Sequence, residues 1–283
     1  VPTTVGHVPA TIGHAPTKIG FWHVDSFADA PLAGNPAAVF LLPSERDTAW
    51  CQAFAAEMMA PDSAFLVPPA DPGGRWNLRW FTPTDEVDLC GHATLASAHV
   101  LWETGRIPVT DSIRFETQSG VLTASRRPDS TVELDLPAEP LVGADLVPGL
   151  AEALGAEIRW LGQGRTFLVA ELESESAVQR LRLDLGRLAL ATRAPVAVTA
   201  ASDDPEFDYV CRVFAPAIGI PEDPVTGSAQ CALGPLWSAR LVKLDLRAHQ
   251  LSARGGVVSV RVTGDRVMVG GPATTVVRGE ISG

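Results

Sequence analysis

The sequence contains no apolar run approaching the roughly 18 residues of a membrane span, so a membrane is not expected as a partner. No charged n-region followed by an apolar stretch opens it, which sets a cytoplasmic protein as the expectation. Positive charge is also in short supply: 22 Lys and Arg stand against 33 Asp and Glu, a formal net charge of −11. A nucleic-acid backbone needs a basic face, so nucleic acid is not expected either. An anionic small molecule stays possible, because a local site can oppose the global charge. Cysteine is scarce, and Cys51, Cys90, Cys211 and Cys231 lie scattered without CxxC spacing. That is neither a zinc pattern nor a disulfide framework, and no metal is expected. Three of the four read as buried small hydrophobes, while Cys90 sits inside a motif. No GxGxxG opens a helix and no GxxxxGK[ST] occurs, so no nucleotide cofactor is expected.

What remains is a chain of 283 residues, 46% hydrophobic and 19% charged, enough for two lobes of ordinary size. Residues 1–20 differ from the rest. Thr4-Val5-Gly6-His7-Val8-Pro9 recurs as Thr11-Ile12-Gly13-His14-Ala15-Pro16, and Ile19-Gly20 echoes it. A Gly and a Pro in each unit rule out a coiled-coil heptad, leaving a low-complexity arm. His7 and His14 have no carboxylate or Cys beside them to complete a metal site.

From Phe21 onward the pattern is globular. Strands are expected at 37–42, 64–67, 76–81, 112–116, 121–125, 131–136, 166–171, 196–199, 209–214, 257–263 and 266–270. Helices are expected at 47–59, with an acidic N-cap, and near 93–104, 145–154, 174–182 and 228–239. Many short strands with few helices point to α+β rather than a doubly wound sheet.

An internal repeat organises this pattern. Arg79-Trp80-Phe81-Thr82-Pro83 leads to Cys90-Gly91-His92-Ala93 and a helix ending at Leu101-Trp102. Arg212-Val213-Phe214-Ala215-Pro216 leads to Thr226-Gly227-Ser228-Ala229 and a segment ending at Leu236-Trp237. The period is too long for a solenoid, so two pseudo-symmetric lobes are expected, with a cleft where both glycine-to-helix junctions meet. The expected division is an N-terminal lobe over 21–140 and a C-terminal lobe over 141–283, the last strand returning to the first lobe.

A helix N-terminus offers unpaired N–H groups and roughly half a positive charge, which suits a carboxylate. Gly91 and Gly227 would let a ligand approach the backbone, or could simply make tight turns. Acidic residues precede both junctions: Asp85, Glu86 and Asp88 in the first, Glu222 and Asp223 in the second. A carboxylate in an enclosed site can shuttle a proton when its pKa is moved toward working pH. Asp85 and Asp88 read as solvated. His92 is a candidate hydrogen-bond partner or second acid/base. Asp62, between a helix and a strand, could cap a turn.

The chain resembles the PhzF-like family, named after the phenazine pathway and sharing the diaminopimelate epimerase fold. The matching strings are Val24-Asp25-Ser26-Phe27, Gly34-Asn35-Pro36-Ala37-Ala38-Val39, Arg79 to Pro83 with Gly91-His92-Ala93-Thr94-Leu95-Ala96, and Phe214-Ala215-Pro216 with Glu222-Asp223-Pro224-Val225-Thr226-Gly227-Ser228-Ala229. The resemblance implies two lobes, each a curved, mostly antiparallel sheet around a central helix, commonly assembled as a homodimer. It also implies a cofactor-free isomerase that shifts a proton on a small carboxylated, cyclic or unsaturated metabolite such as trans-2,3-dihydro-3-hydroxyanthranilate. The family's proton-carrying glutamate aligns with Asp62. Gly91-His92 and Gly227-Ser228 would hold the substrate, and Asp223 would bond its amino or hydroxyl group.

Two departures stand out. Aspartate in place of glutamate shortens the reach by one methylene, about 1.5 Å. Epimerase relatives place a cysteine before each glycine; here Cys90 fills the first position and Thr226 the second, and a hydroxyl is too weak an acid to replace a thiol. Cys90 is therefore expected to line the site. The competing expectations are an amino-acid racemase or epimerase, and a non-catalytic small-molecule-binding protein of the same fold.

Overall fold

The computed structural model describes residues 18–282, so His7, His14 and most of the expected arm lie outside the described residues. Lys18 to Gly20 belong to the first strand, not to an arm, and Ile19 is fully buried. Their echo of the upstream repeat masked the start of the strand.

Strand β1 (Lys18–Ser26) pairs antiparallel with β2 (Asn35–Leu41). Helix α1 (Thr48–Met58) crosses to β3 (Asp62–Val67), parallel to β2. As expected for an acidic N-cap, Asp47 accepts a hydrogen bond from the Trp50 N–H, 2.7 Å. β4 (Trp76–Phe81) returns antiparallel and carries the short β5 (Glu86–Val87). Helix α2 (Gly91–Glu103) crosses to β6 (Ile113–Thr117), parallel to β4. β7 (Gly120–Arg126) and β8 (Val132–Pro137) form a meander, and β9 (Val142–Gly143) ends the unit.

The same moves then recur. After α3 (Leu150–Leu154), β10 (Trp160–Gln163) and β11 (Leu168–Glu171) run antiparallel. Helices α4 (Glu175–Gln179) and α5 (Leu185–Ala191) cross to β12 (Val196–Ala201), parallel to β11. β13 (Tyr209–Ala215) carries β14 (Ile220–Asp223). Helix α6 (Gln230–Leu241) crosses to β15 (Asp245–Gln250), parallel to β13. β16 (Gly256–Thr263), β17 (Arg266–Gly271) and β18 (Ala273–Ser282) complete the chain. The α+β class and the mostly antiparallel, pseudo-symmetric sheet expected from the repeat are what the fold shows.

The two units are joined along β8 and β17, paired from Pro137–Arg266 to Val132–Gly271. Each unit also gives its last strand to the other: β9 pairs with β10, and β18 with β1. The repeat reaches individual side chains. Arg79 grips Glu86 through two bonds of 2.7 Å, and Arg212 grips Glu222 at 2.8 and 2.9 Å. Each guanidinium also lies 5.0 Å from the ring centroid of its own Phe, Phe81 or Phe214. The duplicated Arg, Phe and Glu are therefore framework, which removes Glu86 and Glu222 from the candidate acid/base groups.

Helix α2 is buried nearly throughout, because its Ala93, Leu95, Ala96, Ala98, Val100 and Leu101 leave no polar face. It touches β1, β2, β3, β8 and β18, so the first sheet curls around it. The buried hydroxyls of Thr94 and Ser97 donate to carbonyls one turn back, at 2.6 and 2.7 Å. In α6, Pro235 has no N–H to offer the Cys231 carbonyl. Glu139, just beyond β8, supplies the missing donor through its own N–H, 2.8 Å away. Its buried carboxylate also accepts from the N–H groups of Thr166 and Phe167, so the crossover is fastened into the second lobe.

Between β1 and β2 the chain turns at Gly34, with φ +64°. A Cβ there would lie 2.1 Å from the Ser26 carbonyl oxygen. Gly73 has φ +76° but no atom near a notional Cβ. Gly73→Ala should therefore cost about 1–2 kcal/mol, the left-handed penalty alone. Gly34→Ala should exceed that by at least about 2 kcal/mol, as judged by urea unfolding of the two variants.

Candidate active site

Helix α1 ends at Met59 in the left-handed region, and Pro61 prevents its continuation before β3 opens at Asp62. Strand alternation sets Asp62 with Ala64 and Leu66 on the face that packs around α2, whereas Phe65 joins the separate cluster under α1. The Asp62 carboxyl is thus carried into the core beside the first turn of α2, and is 8% exposed.

The two glycine junctions meet there. A Cβ on Gly91 would lie 3.4 Å from the Ser228 nitrogen and 3.5 Å from the Gly227 Cα. Neither α2 nor α6 has a side-chain cap on its N-terminus, since Cys90 and Ala229 make no capping bond. Two turns with orphan N–H groups therefore share one small volume. Helix α6 itself begins at Gln230, with Gly227 and Ser228 in the preceding turn. Phe27, at φ 63°, wedges its ring against this junction; a Cβ on Gly227 would be 3.1 Å from it and one on Gly271 2.6 Å.

Asp223 arrives from β14 and is fixed on both oxygens. The Asn35 amide donates to Oδ1 at 2.7 Å and the Thr226 hydroxyl to Oδ2 at 2.6 Å. Asn35 also donates to the Val225 carbonyl, 2.8 Å. Gln250 donates to the Asp223 carbonyl at 2.8 Å and accepts from the Thr226 N–H at 2.8 Å. Arg254 ties the lobes beside this network, bonding the buried Asp25 and the carbonyls of Ala33 and Gly34. The bonds among Asn35, Asp223, Thr226 and Gln250 hold one another in place, though the buried Asn35 Oδ1 has no partner.

Burial pushes the Asp62 carboxyl up to about 7, helped by the nearby Asp223 charge and opposed by a hydrogen bond from Cys90. Burial also raises Asp223, to about 6, against the lowering effect of the Thr226 and Asn35 bonds. His92 goes the other way: burial drives it down to about 3, so its imidazole is neutral near pH 7. Its Nε2 lies 3.6 Å from Asp62 Oδ2, and its Nδ1 lies 3.4 Å from Cys90 Sγ. The Cys90 thiol is held well above its ordinary value by burial and by Asp62. Near neutrality the site therefore holds two carboxyls that titrate at about 7 and about 6, a neutral imidazole and a protonated thiol.

A family model described as phenazine biosynthesis-like protein (PhzC-PhzF) matches residues 24–279. The chain belongs to this family. An uncharacterized isomerase of Halalkalibacterium halodurans is 44% identical over 259 residues, covering 91% of this chain and 96% of the relative. A crystal structure of a PhzF-family phenazine biosynthesis protein from Enterococcus faecalis superposes with a TM-score of 0.87 at 37% identity, covering 94% of this chain and 99% of that one. A hydroxyproline epimerase from Agrobacterium vitis shares the fold at a TM-score of 0.61 and 14% identity, covering 94% and 92%.

Within this PhzF-family framework, Asp62, Cys90, Gly91 and His92 gather from the first lobe, and Asp223, Thr226, Gly227 and Ser228 from the second. Asp85 and Asp88 are exposed, in keeping with their reading as solvated residues. Asn35, Gln250, Arg254 and Phe27 were given no role from sequence. Asn35 had a visible signal, the Gly-Asn-Pro string, though it reads as a turn until the partner lobe is in place. Among the described residues no helix is long and apolar enough to cross a membrane.

The raised Asp62 value carries a stability consequence. Because its folded pKa exceeds the ordinary 3.8, the native state favours the neutral carboxyl, and this contribution is lost as pH climbs from about 4 through about 7. Asp62→Asn keeps a neutral group at every pH. It should match wild type near pH 4 and be more stable at pH 8 by roughly 2–4 kcal/mol, measured by urea unfolding at both pH values.

Proposed function

We propose that this PhzF-family protein is a cofactor-independent isomerase, shifting a proton within a small carboxylated, cyclic or unsaturated metabolite. The observation that carries this reading is a buried carboxyl, Asp62, raised to about 7 beside a second carboxyl and the meeting point of two uncapped helix N-termini. Near neutrality Asp62 can accept a proton and return it with little cost either way, as a general base and then a general acid require. The N–H groups around Gly91, His92, Gly227 and Ser228 supply a seat for the substrate carboxylate. Asp223, held by Asn35 and Thr226, takes an amino or hydroxyl group. His92, neutral near pH 7, offers the substrate a hydrogen-bonding partner.

Asp62 takes a proton from an activated C–H, leaving the electron pair to delocalise through the unsaturated system. The resulting acid delivers the same proton to a second carbon, and the carboxylate is restored. The pseudo-symmetric counterpart of Asp62 is Pro195, since Ser63 pairs with Phe81 as Val196 pairs with Phe214. A proline offers no second base, so both transfers use one face of the substrate. Racemisation by opposed thiols is disfavoured further: the Thr226 hydroxyl is engaged as a donor to Asp223. The relatives named as isomerases support the class of reaction.

The test is an NMR assay in D₂O with trans-2,3-dihydro-3-hydroxyanthranilate, comparing wild type with Asp62→Asn. Conversion by wild type is expected, rising with pH through about 7 as Asp62 ionises. Asp62→Asn should lose at least about 100-fold while still binding the compound. Equal turnover by both proteins would remove Asp62 as the proton carrier. Binding with no conversion and no solvent-hydrogen exchange into any carboxylated ligand would favour the non-catalytic binding protein instead.

A further inference from the structure

The proton shift leaves the Cys90 thiol without a task, and the place it occupies is unusual. One ligand atom each from Asp62, Cys90 and His92 lies within 4.8 Å of the other two, and all three residues are less than a tenth exposed. The Cys90 Sγ to His92 Nδ1 distance is 3.4 Å, and His92 Nε2 to Asp62 Oδ2 is 3.6 Å. Two ligand atoms held tetrahedrally by one ion, at bonds of about 2.0–2.3 Å, stand about 3.3–3.7 Å apart. An ion takes a single ring nitrogen; on Nε2 the spacing to Asp62 is of that order, whereas the Cys90 thiol lies on the Nδ1 side of the ring.

A second observation is independent of the clustering. His92 Nε2 is buried and has no hydrogen-bond partner. Its 3.6 Å separation from Asp62 is too long for a hydrogen bond, so a ring nitrogen in the core is left unsatisfied, at a free-energy cost.

We propose that Asp62, Cys90 and His92 form a three-ligand site for a borderline-soft divalent cation of the zinc type. Sulfur, imidazole nitrogen and carboxylate oxygen together suit zinc far better than magnesium or calcium. Three protein ligands leave a fourth position for water. As the ion binds, the Cys90 S–H bond breaks, its proton passes to solvent and a metal–sulfur bond forms, with no change of oxidation state. The ion occupies the Asp62 lone pair that a proton shift would need, so it acts as a blocker of the cleft and competes with the organic ligand. The sequence hides this site because its carboxylate lies far upstream of the Cys-Gly-His string.

The full chain is titrated with Co²⁺ as a spectroscopic probe, then with Zn²⁺ as competitor. One equivalent of Co²⁺ should bind with a thiolate-to-cobalt absorption in the near ultraviolet, and one equivalent of Zn²⁺ should abolish it. Cys90→Ser should lose the band, and Asp62→Asn should weaken binding by roughly tenfold or more. Cys51→Ser and a His7→Ala/His14→Ala double variant should keep both band and affinity. Absence of the band from wild type, or its survival in Cys90→Ser, overturns the proposal. Should Cys90→Ser fail to fold by circular dichroism, His92→Gln decides instead: unchanged cobalt affinity there overturns the site. The readout needs no turnover, so it stands apart from the outcome of the isomerase assay.

Discussion

The closeness of the two glycine junctions, where a Cβ on Gly91 would already lie 3.5 Å from the Gly227 Cα, is the constraint on which the rest of the molecule is built. A methyl at Gly91 would only just fit, and one at Gly227 would press on the Phe27 ring. Two positive helix ends at this distance repel each other, and the arrangement persists because acidic groups and sheet pairing hold it. Asp62 and Asp223 supply negative charge from opposite lobes. The β8–β17 seam and the Arg254 clasp supply the mechanical restraint. A protein with a net charge of −11 thereby brings two turns with orphan N–H groups into one small interior region.

The same crowding sets the chemistry of the carboxyls. Asp223 is surrounded by donors, Asn35 and Thr226, whereas Asp62 has mainly apolar neighbours, a thiol and a neutral imidazole. Burial acts on both, but the donors temper it for Asp223 and leave Asp62 the more basic of the two. The division of labour proposed for them follows from which lobe carries the hydrogen-bond network.

Much of this was legible in the sequence because the repeat and the alternation are strong. Trp76–Phe81 reads as a strand and is one, Asp47 caps the helix it should, and the two Arg-x-Phe motifs identify equivalent strands. Elements with little local signal were missed. Strands β5 and β9 are two residues each, and β15, Asp-Leu-Arg-Ala-His-Gln, is too polar to stand out. The helix expected at 145–154 shrinks to Leu150–Leu154, since Pro148-Gly149 breaks its first half. At the site, Asp62 was singled out through family resemblance, and nothing local distinguishes it from a turn cap. Asn35 and Arg254 act across the lobe boundary, and contacts of that kind have no periodicity to read.

The exchange of β9 and β18 bears on how the chain comes into being. Strand β1 is made among the first of the described residues, yet one of its two neighbours, β18, is made among the last. During synthesis the first lobe therefore carries an exposed strand edge until β18 has left the ribosome. The second lobe has no such wait, because its borrowed strand, β9, precedes it. Maturation must run against the order of translation: the lobe that begins first is finished last.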